Sequence, residues 1–377
     1  MAITLSGGGA RAAYQVGVLR GLARHFPKTR PAILTGESAG AINAVYLAAH
    51  RGLLPDAVED LARLWSQLTA RQVFRIGTPS LARNVLRWGT RLLSGGAAIA
   101  PTVHGLLDTA PLRSLLEGSL VLANGEIVGI TEKLERGLLK AVALTTINYS
   151  TGQTVTWVEG SEIRDWERPL RRSARTRLTI DHVLASASLP FIFPAVRLGD
   201  DWYGDGGVRL HAPLSPAIHL GAQRILAIST NYQPTHEEAD RPAIRGYPPP
   251  GHVVGILLDA IFLDLIDYDA LVLERLNRLL DKLPRQEWGD LRPVDLLVLR
   301  PSQDLAGLAA DCESCLPRGF RFLTRGLGTH ETSRPALLSL LMFMPEYLQP
   351  VIRIGEADVE ARLDEIAAFV ADVGGAP

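Results

Sequence analysis

The chain has 377 residues, enough for one large domain or two of ordinary size. Apolar residues make up 47% and charged residues 21%, globular proportions that exclude a disordered or fibrous chain. The net charge of −1, from 39 basic and 40 acidic side chains, lacks the positive excess that binding many phosphates needs, so no nucleic-acid partner is expected. Four of the basic residues are lysines and the rest arginines, so an isolated Arg carries little information here.

Ala2–Leu5 is a short apolar run ending in Ser-Gly-Gly-Gly, which predicts a buried strand entering a tight loop. A helix follows, with Val16, Leu19, Ala23 and Phe26 at helical spacing and Pro27 as its stop. Ala32–Thr35 predicts a second strand, which runs into Gly-Glu-Ser-Ala-Gly and a helix from about Ala41 to His50. Strand, loop and helix twice in about fifty residues imply a largely parallel α/β sheet. Asp56 reads as a helix N-cap ahead of the stripe Val58, Leu61, Leu64, Trp65 and Leu68.

Further on, Ala141–Asn148 and Thr154–Val158 read as paired strands, Ile180–Ala187 as a helix, and Trp202–Tyr203 as the approach to a Gly-Asp-Gly-Gly turn. Ile225–Ser229 is another apolar strand. Glu238–Gly251, with Pro242 and Pro248 to Pro250, is the expected boundary region. The stretches 253–283 and 335–371 read mostly as helix.

Three short segments carry chemistry. Gly36-Glu37-Ser38-Ala39-Gly40 is a G-x-S-x-G pattern between strand and helix. A nucleophilic serine must stand out on a sharp turn, flanked by glycines because side chains there would clash, with a helix N-terminus favouring developing negative charge. Gly7-Gly8-Gly9-Ala10-Arg11 also lies between strand and helix, where successive N–H groups can form a nest for a phosphate or an oxyanion. It partly fits a dinucleotide fingerprint. The acidic residue that fingerprint needs about twenty residues on is missing, because Lys28–Pro31 is basic and prolyl instead. Gly204-Asp205-Gly206-Gly207 is by itself ordinary turn chemistry. A Ser-His-Asp triad remains open, with His211 and His219 following Asp205. Against it, Ser38 follows the chain's second strand, and His211 is only six residues from Asp205.

Together, and in this order, the three segments resemble those of the patatin-like phospholipases, a family of serine lipid acyl hydrolases. The resemblance extends to Ala187–Pro194 ahead of Asp205 and covers roughly residues 1 to 230. It implies a three-layer α/β/α fold with a mostly parallel sheet and a catalytic core over 1–232; outside the resemblance, the helical stretches beyond the boundary region predict a mostly helical C-terminal extension over 233–377, packed on the core. It implies a lipid or other acyl-ester substrate and a Ser–Asp dyad without histidine. Ser38 would be the nucleophile and Asp205 the base; the Gly7, Gly8 and Gly9 N–H groups would form the oxyanion hole, with Arg11, Gly36, Gly40, Gly206 and Gly207 in support. No cofactor or metal is called for. A lipid-binding protein that uses the same fold without turnover is the alternative.

The base would need its pKa raised by burial, since a free Asp titrates near about 3.9. Residues 71–93 carry Arg71, Arg75, Arg83, Arg87 and Arg91 without an acid, with Leu81, Val85, Trp88 and Leu92 opposite. Such a basic amphipathic helix suits a membrane surface or a lid, or packs on the core with a solvated Arg face. With no signal peptide and no spanning segment in the sequence, a soluble, cytoplasmic protein is expected, with peripheral membrane contact left open. The sequence carries no signal for oligomeric state.

Overall fold

The computed structural model describes residues 1–75, 86, 90, 105–161, 163–210, 212–244, 246–262 and 265–371. In chain order the strands are β1 (Ala2–Leu5), β2 (Ile33–Gly36), a short ribbon of β3 (Leu122–Ala123) and β4 (Glu126–Ile127), then β5 (Ala141–Asn148), β6 (Thr154–Gly160), β7 (Glu167–Arg168), β8 (Arg171–Arg175), β9 (Val196–Leu198), β10 (Asp201–Asp205), β11 (Arg224–Ile228) and β12 (Asp295–Leu299). All but β3 and β4 join one sheet with the order β12-β11-β1-β2-β5-β6-β8-β7, with β10 and β9 attached to β5. From β12 to β5 the pairing is parallel throughout. The expected β5–β6 pairing is antiparallel, with Ala141 opposite Gly160 and Ile147 opposite Thr154.

The parallel strands are apolar at nearly every position because both of their faces are covered. Alternate residues serve different layers. Ile3, Leu5, Leu34, Val142, Leu144, Leu226 and Ile228 belong to one core cluster, together with residues of α1 (Ala13–His25), α2 (Ala39–Ala49) and α3 (Leu54–Ser66). Ala2, Ile33, Ala141, Ala143, Ile225 and Ala227 belong to a second cluster, which takes in Ile266 and Leu273. The result is the expected α/β fold with helices on both faces of a mostly parallel sheet.

Two local readings change. Helix α3 begins at Leu54 rather than after Asp56, since Pro55 in its first turn presets the helical φ. Asp56 sits inside that first turn, where its charge still opposes the helix dipole's positive end. Gly204-Asp205 is not a free turn: Asp205 ends β10 and caps the following 3-10 turn, Gly206–Arg209.

Beyond residue 232 the chain adds helices and the strand β12, which pairs in parallel with β11 from Arg224–Asp295 to Ile228–Leu299. The apolar run around Leu296–Leu299 was the available sequence signal. Four further helices matter below: α4 (Ala110–Ser119), α5 (Ile180–Ser186), α6 (Pro250–Phe262) and α7 (Ala336–Leu341). Among the described residues no helix is long and apolar enough to cross a membrane. The basic helix expected over 71–93 lies largely outside the described residues, as does His211.

Candidate active site

The site forms where two strands end against the same edge of β5. β2 runs parallel to β5 and stops with Gly36 opposite Leu144. β10 runs antiparallel and stops with Asp205 opposite Thr146. Both pair on the side of β5 away from β6, so their C-terminal ends approach head to head across Thr145. Residues 36–40 and 205–207, far apart in sequence, meet there.

The turn after β2 is tight. Ser38 has φ 52° and ψ −129°, a conformation that costs a non-glycine residue about 1–3 kcal/mol and that holds its side chain out of the turn. The flanking glycines follow from close backbone contact: a Cβ on Gly36 would strike the Gly40 carbonyl, and one on Gly40 would strike those of Leu5 and Ser6. Ser38 N–H donates to Ser186 Oγ of α5 at 3.2 Å, and Ser186 Oγ–H donates to the Thr145 carbonyl at 2.7 Å. The turn is thereby tied to the central strand.

Asp205 is fully buried. Its Oδ1 accepts the Gly207 N–H at 3.0 Å, and its own N–H donates to the Ser188 carbonyl at 3.1 Å, which joins the Ala187–Pro194 stretch to the site. Loss of hydration pushes the Asp205 carboxyl up to about 7, while the Ser38 hydroxyl and the Gly207 amide pull the other way. Ser38 thus acts on this carboxyl group, but the two do not form an aligned hydrogen bond, and Asp205 Oδ2 is buried without a partner among the described residues. A Cβ on Gly206 would strike the Thr145 carbonyl.

The glycine loop lies beside this pair and is braced from behind. The Gly7 carbonyl accepts the Thr230 hydroxyl at 2.6 Å, and the Ser6 carbonyl accepts Gln15 Nε2 at 2.7 Å. Gln15 is held in turn by Asn43, and Asn43 by the Trp65 indole N–H. Gly7 N–H donates to Glu37 Oε1 at 3.3 Å, so Gly8 and Gly9 are the loop residues that line the cavity with Ser38. Gly9 has φ 53°, and a Cβ on it would strike the Leu340 carbonyl.

Arg11, 4% exposed, reaches away from the loop into the C-terminal helices. It donates to Ser339 Oγ at 2.7 Å and to the Ala336 carbonyl at 3.2 Å, and pairs with Asp259 at 3.1 Å without the alignment of a hydrogen bond.

The cavity in front of Ser38 spans about 780 Å³ when the open solvent at its mouth is included. Its walls are apolar: Trp65 from α3, Leu112 and Leu116 from α4, Phe193, and Leu340 with Phe343 from the C-terminal region. Of the competing histidines, His219 stacks on Trp166 at 4.9 Å. Among the described residues no histidine hydrogen-bonds to Ser38 or Asp205.

A family model described as patatin-like phospholipase matches residues 3–218, more than half of the chain. The chain belongs to the patatin-like phospholipase family. Its family region therefore ends before the C-terminal helices that complete the cavity. The search of curated proteins gives no match. Among solved structures, human GIVD cytosolic phospholipase A2 aligns at 13% identity with a TM-score of 0.47, over 98% of this chain and 59% of that one. VipD from Legionella pneumophila aligns at 13% identity with a TM-score of 0.38, over 97% of this chain and 66% of that one. The chain thus spans less than two thirds of either.

Sequence reasoning singled out the residues of the three Gly-rich segments and missed two groups. Glu37 was legible as an acid inside the G-x-S-x-G pentapeptide. The C-terminal wall of Leu340, Leu341 and Phe343 had no local signal beyond its place in a stretch that read mostly as helix.

Proposed function

We propose that this patatin-like protein is a lipid acyl hydrolase working through Ser38 and Asp205. The observation that carries the reading is the convergence of the β2 and β10 ends on Thr145, with Ser38 at an apolar cavity and a buried carboxyl group acting on its hydroxyl. Ser38 Oγ attacks the ester carbonyl carbon as its proton passes to Asp205, whose pKa of about 7 leaves a useful share of base at neutral pH. An aligned hydrogen bond between them forms as substrate arrives.

The tetrahedral oxyanion is held by the N–H groups of Gly8 and Gly9, with the N-terminus of α2 behind Ser38 adding its dipole. The C–O bond to the alcohol breaks, the alcohol leaves with the proton from Asp205, and an acyl group remains on Ser38. Water then repeats the sequence, with Asp205 taking its proton, and releases the carboxylic acid. The apolar walls suit an acyl chain, which makes a lipid ester the substrate class.

Peripheral contact with a lipid surface is consistent with the exposed apolar side of α6, at Val253, Val254, Ile256 and Leu257. On the inner side of α6, Leu258 packs in the cluster around Leu189, which lines the cavity.

Labelling by a fluorophosphonate probe tests the reading. The parent should label at Ser38 and hydrolyse a short-chain ester, and Ser38→Ala should do neither while keeping its fold by circular dichroism. Equal turnover by the Ala variant refutes the assignment. A parent that neither labels nor hydrolyses would be a lipid-binding protein instead.

A further inference from the structure

The scheme above leaves Glu37 without a part, although burying a carboxyl group there is costly. Its side chain is 4% exposed. Oε1 accepts the Gly7 N–H, while Oε2 is buried with no hydrogen-bond partner among the described residues. Asp205 is the charged group that acts on it. The Asp205 carboxyl is incomplete in the same way, with Oδ2 unpartnered among the described residues. Two buried acids therefore lie within electrostatic reach of each other. Two carboxylates cannot both be ionised there at low cost, so one keeps its proton. Asp205 has the better support for a negative charge, from the Gly207 amide and the Ser38 hydroxyl, whereas Glu37 has the Gly7 amide alone.

We infer that Glu37 is a positioning residue: as a neutral acid it fixes the glycine loop through the Gly7 N–H and leaves the single negative charge of the site to Asp205, and its ionisation shuts the site down. The inference rests on the proposed roles of Ser38 and Asp205. Shutdown follows from electrostatics. A second negative charge one residue from Ser38 opposes the oxyanion forming against Gly8 and Gly9, and it draws the proton back onto Asp205.

Among the described residues few other groups compete for this role. From the β5–β6 turn, Tyr149 packs on Gly204; burial and Asp205 push its pKa up to about 12, so it stays neutral. From α5, His182 is turned toward Trp157, and burial lowers its pKa to about 4. From the glycine loop, Arg11 points away to Ser339 and Asp259. From α2, Asn43 is uncharged and bonded to Gln15.

Burial and the neighbouring Asp205 push Glu37 up to about 8, above the value of about 7 for Asp205. Activity should rise as Asp205 loses its proton and fall as Glu37 loses its own, giving a narrow bell whose limbs belong to the coupled pair.

The test is the pH profile of kcat and kcat/KM on a soluble short-chain ester for the parent, Glu37→Gln and Glu37→Ala. The parent should show both limbs. Glu37→Gln keeps an acceptor for Gly7 and cannot ionise, so it should lose the alkaline limb, keep the acid limb and stay within about 3-fold of the parent kcat at pH 7. Glu37→Ala loses the acceptor and should lower kcat about 10-fold or more with KM little changed, as expected when an oxyanion site loosens. An alkaline limb in Glu37→Gln equal to that of the parent, or a parent without one, overturns the inference; so does a folded Glu37→Ala variant with parental kcat. Should Glu37→Ala not fold, the Gln profile decides alone. Residual activity in Ser38→Ala would instead overturn the reading beneath it.

Discussion

Arg11 offers a sharp test of how the N-terminal loop depends on the far end of the chain. Replacing it with Met keeps much of the apolar stem and removes the guanidinium. Three contacts go with it: the hydrogen bonds to Ser339 Oγ at 2.7 Å and to the Ala336 carbonyl at 3.2 Å, and the ion pair with Asp259 at 3.1 Å. Hydrogen bonds from a charged donor contribute about 1.5–3 kcal/mol each. Asp259 is 32% exposed, so its attraction is partly screened and adds little. These contributions are not additive, and a loss of about 3 kcal/mol is expected, set by the two charged-donor hydrogen bonds.

Urea unfolding followed by circular dichroism measures this loss directly. A double variant, Arg11→Met with Asp259→Leu, should cost less than the sum of the two single changes, because each alone strands a partner. Since Leu340 lies against Gly9, the loosened α7 should also lower kcat about 10-fold for a short-chain ester. If Arg11→Met unfolds within about 1 kcal/mol of the parent, the tie from Arg11 to the C-terminal helices contributes nothing of note, and the reasoning fails.

Two further outcomes follow from the site. Folding holds the Asp205 proton up to about 7, whereas the unfolded chain releases it near about 3.9. Between those values the native state binds more protons, so the contribution of this group to stability falls as pH rises, by about 4 kcal/mol at most. Asp205→Asn should therefore be inactive yet more stable than the parent at pH 8, with the advantage shrinking toward pH 4; urea midpoints across that range check it, and a less stable variant at pH 8 would contradict it. Leu64→Trp, on the cavity wall, should lower kcat/KM for a sixteen-carbon acyl ester about 10-fold while leaving a four-carbon ester within about 2-fold, measured as a ratio on one preparation. Equal effects on both esters would mean that the acyl chain lies elsewhere.

The parts of the site written within a few residues were legible. Gly36 and Gly40 are required by backbone contacts inside one turn, and the strands and helices around them follow from apolar spacing over ten or so residues. Such features depend on local sterics, and local sterics are carried by the order of residues. Glu37 was visible as a residue but not as a problem, because only burial beside a second carboxyl group makes its charge costly. The start of α3 was misjudged for a local reason, since Pro55 outranked Asp56.

The amino-acid order by itself determined the tight turn at Gly36–Gly40, the glycine loop and the layered α/β character of the chain. Only the tertiary structure decided that Asp205, while capping its own turn, also lies beside Ser38. That meeting depends on which edge of β5 two distant strands choose and where each one stops. The same holds for the cavity wall of Leu340 and Phe343 and for the hold of Arg11 on Ser339, a partner more than three hundred residues away. Contacts of that range are set by how the sheet and helices close on one another, and no short stretch of sequence encodes them.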